Sequence, residues 1–247
     1  MKKVIVIPAR LDSSRLPKKV LLDLNGKTVL QRVYEQCLKV KNVDEVYVAT
    51  DSLEIKEVCE TFTNQVVITK STHQSGTDRI GEAISSIDCD IVINVQGDEP
   101  FIDSNSLKKL IQIFRYDPQK EIALASLMTP LNDIEDIENP NVVKVIVDLN
   151  DFALYFSRSP IPFNRENVKT SNHFKHIGVY AFRKQALIEF SKQEITPLES
   201  VEKIECIRYL EHGKKIKMVV TQNLNFEIDT PRDLERAEAH LSQLESQ

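Results

Sequence analysis

Tryptophan is missing from these 247 residues, and glycine and cysteine are scarce, at six and four. Cys37, Cys59, Cys89 and Cys206 stand far apart with no CxxC pair, which argues against a zinc site or a disulfide framework and reads as reduced thiols. There is no GxGxxG fingerprint for a dinucleotide, no GxSxG elbow and no HExxH zinc motif. Long apolar runs are missing too: the run that opens the chain, Val4 to Ile7, ends at Pro8, too short for a signal peptide or a membrane span. The expected location is therefore cytoplasmic, with no membrane partner. Positive charge is not in excess either, and a formal net charge of −5 argues against a nucleic-acid partner, because proteins that coat nucleic acid carry a basic face. What remains, 41% hydrophobic and 28% charged residues, is the composition of a globular chain. Its length suffices for a full core, and a single domain over 1–247 is expected.

Short β-branched runs alternate with amphipathic segments of helical length. VIVI at 4–7, EVYVAT at 45–50, QVVIT at 65–69, DIVINV at 90–95 and IALASL at 122–127 are the strands, and such alternation builds βαβ units with a largely parallel sheet. Thr28 to Val40 puts Val29, Leu30, Val33, Cys37 and Val40 on one helical face, and Asp51 or Ser52 offers an N-cap to a helix over Leu53 to Phe62. From about residue 143 the texture changes: VVKVIVD, the turn-like LND, FALYFS and HIGVYAF predict an antiparallel excursion over about 143–182, with the polar RENVKTSNH as a mobile loop inside it. A helix over Leu198 to His212, a strand at 215–221 and a helix over Pro231 to Leu244, with Thr230 as N-cap, close the chain. The fold class is thus α/β, a Rossmann-like mixed and mostly parallel sheet flanked by helices.

Four cations, Arg10, Arg15, Lys18 and Lys19, follow the first strand. Open α/β sheets bind ligands beyond the carboxyl ends of their strands, where such a loop can hold a polyphosphate by charge-assisted bonds without a Walker pattern. A solvated basic loop is the alternative reading of this segment taken alone, and the weaker one. DIVINVQGDEP empties a buried strand into Asp98, and NFEIDTPRDL puts Asp229 at another strand-to-helix junction. Two such carboxylates can share Mg²⁺ with substrate phosphates, although Asp229 by itself reads as a helix N-cap. Gly76, Gly97 and Gly178 stand beside polar clusters, where the backbone needs either a positive φ or close approach to a ligand. Asp88-Cys89-Asp90 has the form of a glycosyltransferase DxD but precedes its strand, so it reads as a turn at the other end of the sheet.

The blocks IPARLDSSRLPKK, HQSGTDRI, NVQGDEP, NPNVVKVI, ALYFSRSPIP, HIGVYAFR, TPLESVEKIECIRYL and IDTPRDLERA, in this order, resemble the 3-deoxy-manno-octulosonate (Kdo) cytidylyltransferases, or CMP-Kdo synthetases. The resemblance implies the nucleotide-diphospho-sugar transferase type of fold and transfer of CMP from CTP to the anomeric hydroxyl of Kdo, for lipopolysaccharide or capsule synthesis. It implies that Arg10, Ser13, Arg15 and Lys19 hold the CTP phosphates, that Gln74, Ser75 and Arg79 contact cytosine and ribose, and that Asp98 and Asp229 bind Mg²⁺. Asp98, Asp229, Lys19 and Arg10 then carry catalysis. The sugar acid falls to Gln96, Arg158, His176, Tyr180 and Glu205, and the chain is expected to pair as a homodimer through the 143–182 excursion. On its own chemistry Arg158 suits a carboxylate, which its guanidinium binds bidentately, whereas His176 reads as a satisfied core histidine. Two departures stand out. The phosphate loop of the family reads Pro-Gly-Lys where this chain has Pro17-Lys18-Lys19, and a helical Glu-Gln pair is here Glu205-Cys206, which leaves 8-amino-Kdo or another 2-keto sugar acid as an alternative substrate. A glycosyltransferase of related fold, or a noncatalytic nucleotide-binding regulator, are the readings from other classes.

Overall fold

The structure, a computed structural model, describes residues 1–13, 15–73, 75–166, 173–222 and 227–245. In chain order the elements are β1 (Lys3–Ala9), α1 (Val29–Leu38), β2 (Glu45–Thr50), α2 (Leu53–Cys59), β3 (Val66–Ile68), α3 (Gly76–Ala83), β4 (Ile91–Asn94), α4 (Ser104–Ile113), β5 (Ile122–Leu131), α5 (Ile134–Glu138), β6 (Lys144–Val147), β7 (Ala153–Ser157), β8 (His173–Arg183), α6 (Lys184–Phe190), α7 (Pro197–Glu202), α8 (Ile207–Glu211), β9 (Lys215–Val220) and α9 (Pro231–Glu245). The chain forms two compact units, one of Met1–Lys108 with Asn225–Gln247 and the other of Lys109–Leu224. The fold is the expected mixed, mostly parallel α/β arrangement with an antiparallel portion.

The first unit holds the parallel strands β3-β2-β1-β4. β1 is paired on both edges, Val4 lying opposite both Glu45 and Val92, and Val4 to Ile7 are fully buried. That explains its unbroken apolar run, since a parallel strand covered on both faces has no wet side on which to alternate. Thr28 accepts from Gln31 N to start α1, Ser52 accepts from Ile55 N to start α2, and Ser75 and Asp78 form a capping box at α3. α2 ends at Cys59, short of the Phe62 expected from periodicity, because Thr61, Phe62 and Thr63 turn back onto the carbonyls of Val58 and Cys59. The returning C-terminal segment completes this unit: Ile228, Ala237 and Leu241 pack with Leu24 and Val29, all but Leu241 of them at 0% exposure. Each of the leucine, valine and isoleucine side chains contributes about 1.5–3 kcal/mol by leaving water, and Ala237 less.

In the second unit β5 pairs antiparallel with β8 and parallel with β9, while β6 pairs antiparallel with β7 and β8, which is the predicted excursion. The LND turn forms as expected: Asp148 Oδ1 accepts from Asn150 N and Phe152 N, and Asp151 takes φ 56°. RENVKTSNH falls largely outside the described residues. The single helix expected over Leu198 to His212 is instead two, because Lys203 takes the left-handed conformation (φ 55°, ψ 44°) and closes α7 before α8 begins.

Candidate active site

The predicted nucleotide residues meet in one cleft at the carboxyl ends of β1 and β4. Arg10, Ser13, Arg15, Lys19, Ser75, Arg79, Gln96, Asp98 and Asp229 all line it, together with Asp12 and His73. Gln74 lies outside the described residues. Two glycines make the cleft geometrically possible. A Cβ on Gly97 would stand 3.0 Å from Pro8 O, and one on Gly76 would stand 3.1 Å from Pro8 Cγ, so at either position a larger residue would crowd the end of β1 unless Pro8 gave way by a few tenths of an ångström. Gly178 has no such role, since a Cβ there would meet nothing within 4 Å.

At the floor, Lys19 Nζ donates to Asp98 Oδ2 and, at 2.7 Å, to Asp229 Oδ1, while Arg15 Nη2 lies 2.7 Å from Asp229 Oδ2. The two aspartates are brought together by a main-chain bond, Ile228 N to Asp98 O at 2.9 Å. Asp229 is not the cap of α9. Thr230 and Asp233 cap that helix reciprocally, Thr230 Oγ1 donating to Asp233 Oδ2 at 2.7 Å and accepting from Asp233 N, so the Asp229 carboxylate is left to face the cleft. Burial works against the Lys19 ammonium, yet Asp98 and Asp229 outweigh it and hold its pKa above the usual lysine value. A single cation therefore already occupies the point on which carboxylate oxygens of two separate segments converge. That donor set, two hard carboxylates with room for substrate oxygens, suits Mg²⁺, which commonly keeps one or two protein carboxylates and takes the rest from phosphate and water.

The other residues of the cleft are more committed to structure. Arg79 is 4% exposed and ties Thr69 Oγ1 (2.7 Å) to Asp51 Oδ1 (3.2 Å), fixing the ends of β3 and β2. Ser75 gives its hydroxyl to the cap of α3. Lys18 turns away: it has φ 52°, the conformation a glycine takes freely, and its Nζ donates to both carboxylate oxygens of Glu54 at 2.7 and 2.9 Å. His73, not singled out from the sequence although it opens HQSGTDR, hydrogen-bonds Glu82, whose pKa is lowered first by this bond and next by the Lys70 N–H.

The predicted sugar residues beyond Gln96 belong to the second unit. His176 is buried, at 8% exposure, with Nε2 3.0 Å from Ser126 Oγ and its ring edge-on to Phe156 (4.9 Å between centroids) and tilted to Tyr180 (5.6 Å). Burial, aided by Lys175, pushes its pKa down to about 3. Cys206 is 2% exposed, and burial raises its thiol pKa while the Tyr180 hydroxyl, donating to Sγ, works the other way. The residue that stands in place of the expected glutamine is thus packed beneath Tyr180, with Glu205 as its neighbour in the chain. Arg158 donates from Nε to Glu202 O at 2.7 Å and from Nη1 to Pro140 O at 2.9 Å, so part of its fork caps α7. Asp88-Cys89-Asp90 precedes β4, as expected, but is irregular with a bend at Asp90 and not a turn, and Asp90 Oδ2 accepts from Lys2 N at 2.6 Å.

Comparison with known proteins adds to this geometry. The family model described as cytidylyltransferase matches residues 4–216. The 3-deoxy-manno-octulosonate cytidylyltransferase of Christiangramia forsetii is 54% identical over 97% of this chain and 96% of its own, and that of Flavobacterium johnsoniae is 49% identical over 98% and 99%. A solved structure of CMP:2-keto-3-deoxy-manno-octonic acid synthetase complexed with CTP has a TM-score of 0.94 to this fold at 40% identity, covering 98% of this chain and 99% of that one. The 4-diphosphocytidyl-2C-methyl-D-erythritol synthase of Anaerococcus prevotii, at 20% identity and a TM-score of 0.62, shares the fold alone.

Proposed function

This chain belongs to the cytidylyltransferase family, and from that premise we propose how its cleft performs the 3-deoxy-manno-octulosonate cytidylyltransferase reaction. The enzyme transfers CMP from CTP to the anomeric hydroxyl of Kdo: the 2-hydroxyl oxygen bonds to the α-phosphorus, the bond from that phosphorus to the bridging oxygen breaks, and pyrophosphate leaves. The observation that carries the reading is the convergence of Asp98 and Asp229 on Lys19 at the mouth of β1. Arg10, Ser13 and Arg15 stand around the same opening and bind the triphosphate by charge-assisted bonds. With a triphosphate bound, Lys19 would donate to phosphate oxygens, and Asp98 and Asp229 are the residues that would hold Mg²⁺. Bound there, Mg²⁺ supplies neutralisation of the charge that develops on the reacting phosphate. The protein's own contribution is orientation and fixed positive charge, with Gly76 and Gly97 letting α3 and the loop after β4 approach Pro8 at the mouth of the cleft.

The product is a CMP-sugar for lipopolysaccharide or capsule assembly, made in the cytoplasm. Exposed apolar side chains in the excursion, Leu149, Leu154 and Phe163, support a homodimer through that region. Sedimentation velocity at micromolar concentration tests it, a monomer counting against. The activity itself is tested by incubating the protein with CTP, Mg²⁺ and Kdo and following pyrophosphate and CMP-Kdo together. Pyrophosphate release without a sugar nucleotide, or none of either, counts against the reading.

A further inference from the structure

Lys144, the first residue of β6, has 0% of its surface exposed. Lysine is almost never fully buried unless its ammonium is paired, because taking the charge out of water costs several kcal/mol. Here the ammonium is held by main-chain oxygens: Nζ donates to Asn139 O at 3.0 Å, Val142 O at 2.7 Å and Arg158 O at 2.5 Å. An ammonium has three N–H donors, so each is used. Two of these carbonyls belong to the turn between α5 and β6, and the third belongs to Arg158, just past β7.

The guanidinium of Arg158 returns to the same turn. Nη1 donates to Pro140 O at 2.9 Å, while Nε and Nη2 donate to Glu202 O at 2.7 Å and Lys203 O at 3.4 Å. Its main-chain N–H is also fixed, donating to Glu202 Oε2 at 2.9 Å. Lys144 thus grips both the backbone that carries Arg158 and the turn on which the guanidinium rests. Burial, and next the Arg158 charge, lower the Lys144 pKa, with Glu202 opposing them.

We propose that Lys144 is a positioning residue for the sugar acid, setting the Arg158 guanidinium so that the two of its five N–H groups not given to carbonyls meet the substrate carboxylate. The proposal rests on Arg158 being that carboxylate's ligand. Nothing in the nucleotide cleft is asked to change, so its signature is selective for one substrate.

The test is steady-state kinetics of the full-length chain with CTP, Mg²⁺ and Kdo, varying each substrate at saturation of the other, for Lys144→Met, Lys144→Gln and Arg158→Ala. Lys144→Met is expected to raise the KM for Kdo about tenfold, below the roughly 100-fold that a misplacement of about 1 Å can cost, with the KM for CTP within about twofold of the parent. Lys144→Gln keeps a donor without the charge and is expected to fall between, and it carries the test if the methionine variant does not fold. A merely structural lysine would lower the melting temperature and leave both KM values alone in the folded protein. An unchanged KM for Kdo in the Lys144 variants, alongside a raised one in Arg158→Ala, overturns the positioning role. A parallel rise for CTP also overturns it. If Arg158→Ala itself leaves the KM for Kdo unchanged, it is the assignment of Arg158 that fails.

Discussion

The two units of this enzyme use polar side chains in opposite ways. In the first, charged groups of the cleft, Lys19, Arg15, Asp98 and Asp229, are bonded to one another at the surface of a pocket, so a ligand can exchange those bonds for its own. In the second, His176, Tyr180, Arg158 and Lys144 are bonded to hydroxyl, thiol and main-chain partners that belong to the fold. The same kinds of residue are therefore held by exchangeable charges in one place and by groups of the fold in the other. What separates them is whether the partner is an opposite charge or a neutral group of the fold.

The sharpest way to break that contrast is to remove the exchangeable charges. Asp98→Asn and Asp229→Asn are each expected to lower turnover by about 10³-fold, the scale of losing one preorganised charge partner, while melting temperature shifts little, since Thr230 and not Asp229 caps α9. Near-normal turnover of either variant at saturating Mg²⁺ would make that carboxylate only a counter-ion for Lys19.

The framework side predicts a pH effect on stability instead. His176 has a folded pKa near 3 against an ordinary 6.5, so between those values the unfolded chain binds a proton that the folded one refuses. Its stabilising contribution is present above pH 6.5 and is lost as pH falls toward 3. At about pH 4.5 that amounts to roughly 2–3 kcal/mol, and His176→Phe is expected to flatten this part of the urea-midpoint profile. An identical profile in the variant would show that the histidine titrates freely.

The smallest effect sharpens the contrast within the basic loop. Arg15→Ala is expected to raise the KM for CTP several-fold, whereas Lys18→Ala, which removes only an exposed pair with Glu54 worth at most about 1 kcal/mol, should leave it within twofold. Equal losses would mean that the loop acts by diffuse potential and not through named contacts.

The parallel strands and the cleft were legible in the sequence because both rest on local pattern: an apolar run ending in a polar, glycine-containing loop marks a strand's carboxyl end, and Asp98 sits at one. Thr230 as the cap of α9 was legible too, whereas Asp229, which by itself reads as a cap, is placed on the cleft only by the structure. Periodicity also runs through Lys203, whose left-handed backbone divides α7 from α8 although nothing in its side chain demands it. Lys144 was hidden for a simpler reason: a lysine in a strand pattern reads as the wet face, and its carbonyl partners come from turns that pattern alone does not place. Lys18, a departure within the phosphate loop, was visible as a change of residue, but that it turns toward Glu54 is a matter of its φ of 52°.

The first unit is discontinuous in the chain, its last piece arriving only after Lys109–Leu224 has been made. On a ribosome, Leu24 and Val29 must therefore wait, half-covered, through the synthesis of an entire second unit before Ile228, Ala237 and Leu241 emerge to pack on them. Asp229 comes with that piece. A nascent chain with β1 to β4 already paired still lacks one of the two carboxylates facing Lys19, so completion of the core and completion of this charge cluster are the same late event in the life of each molecule.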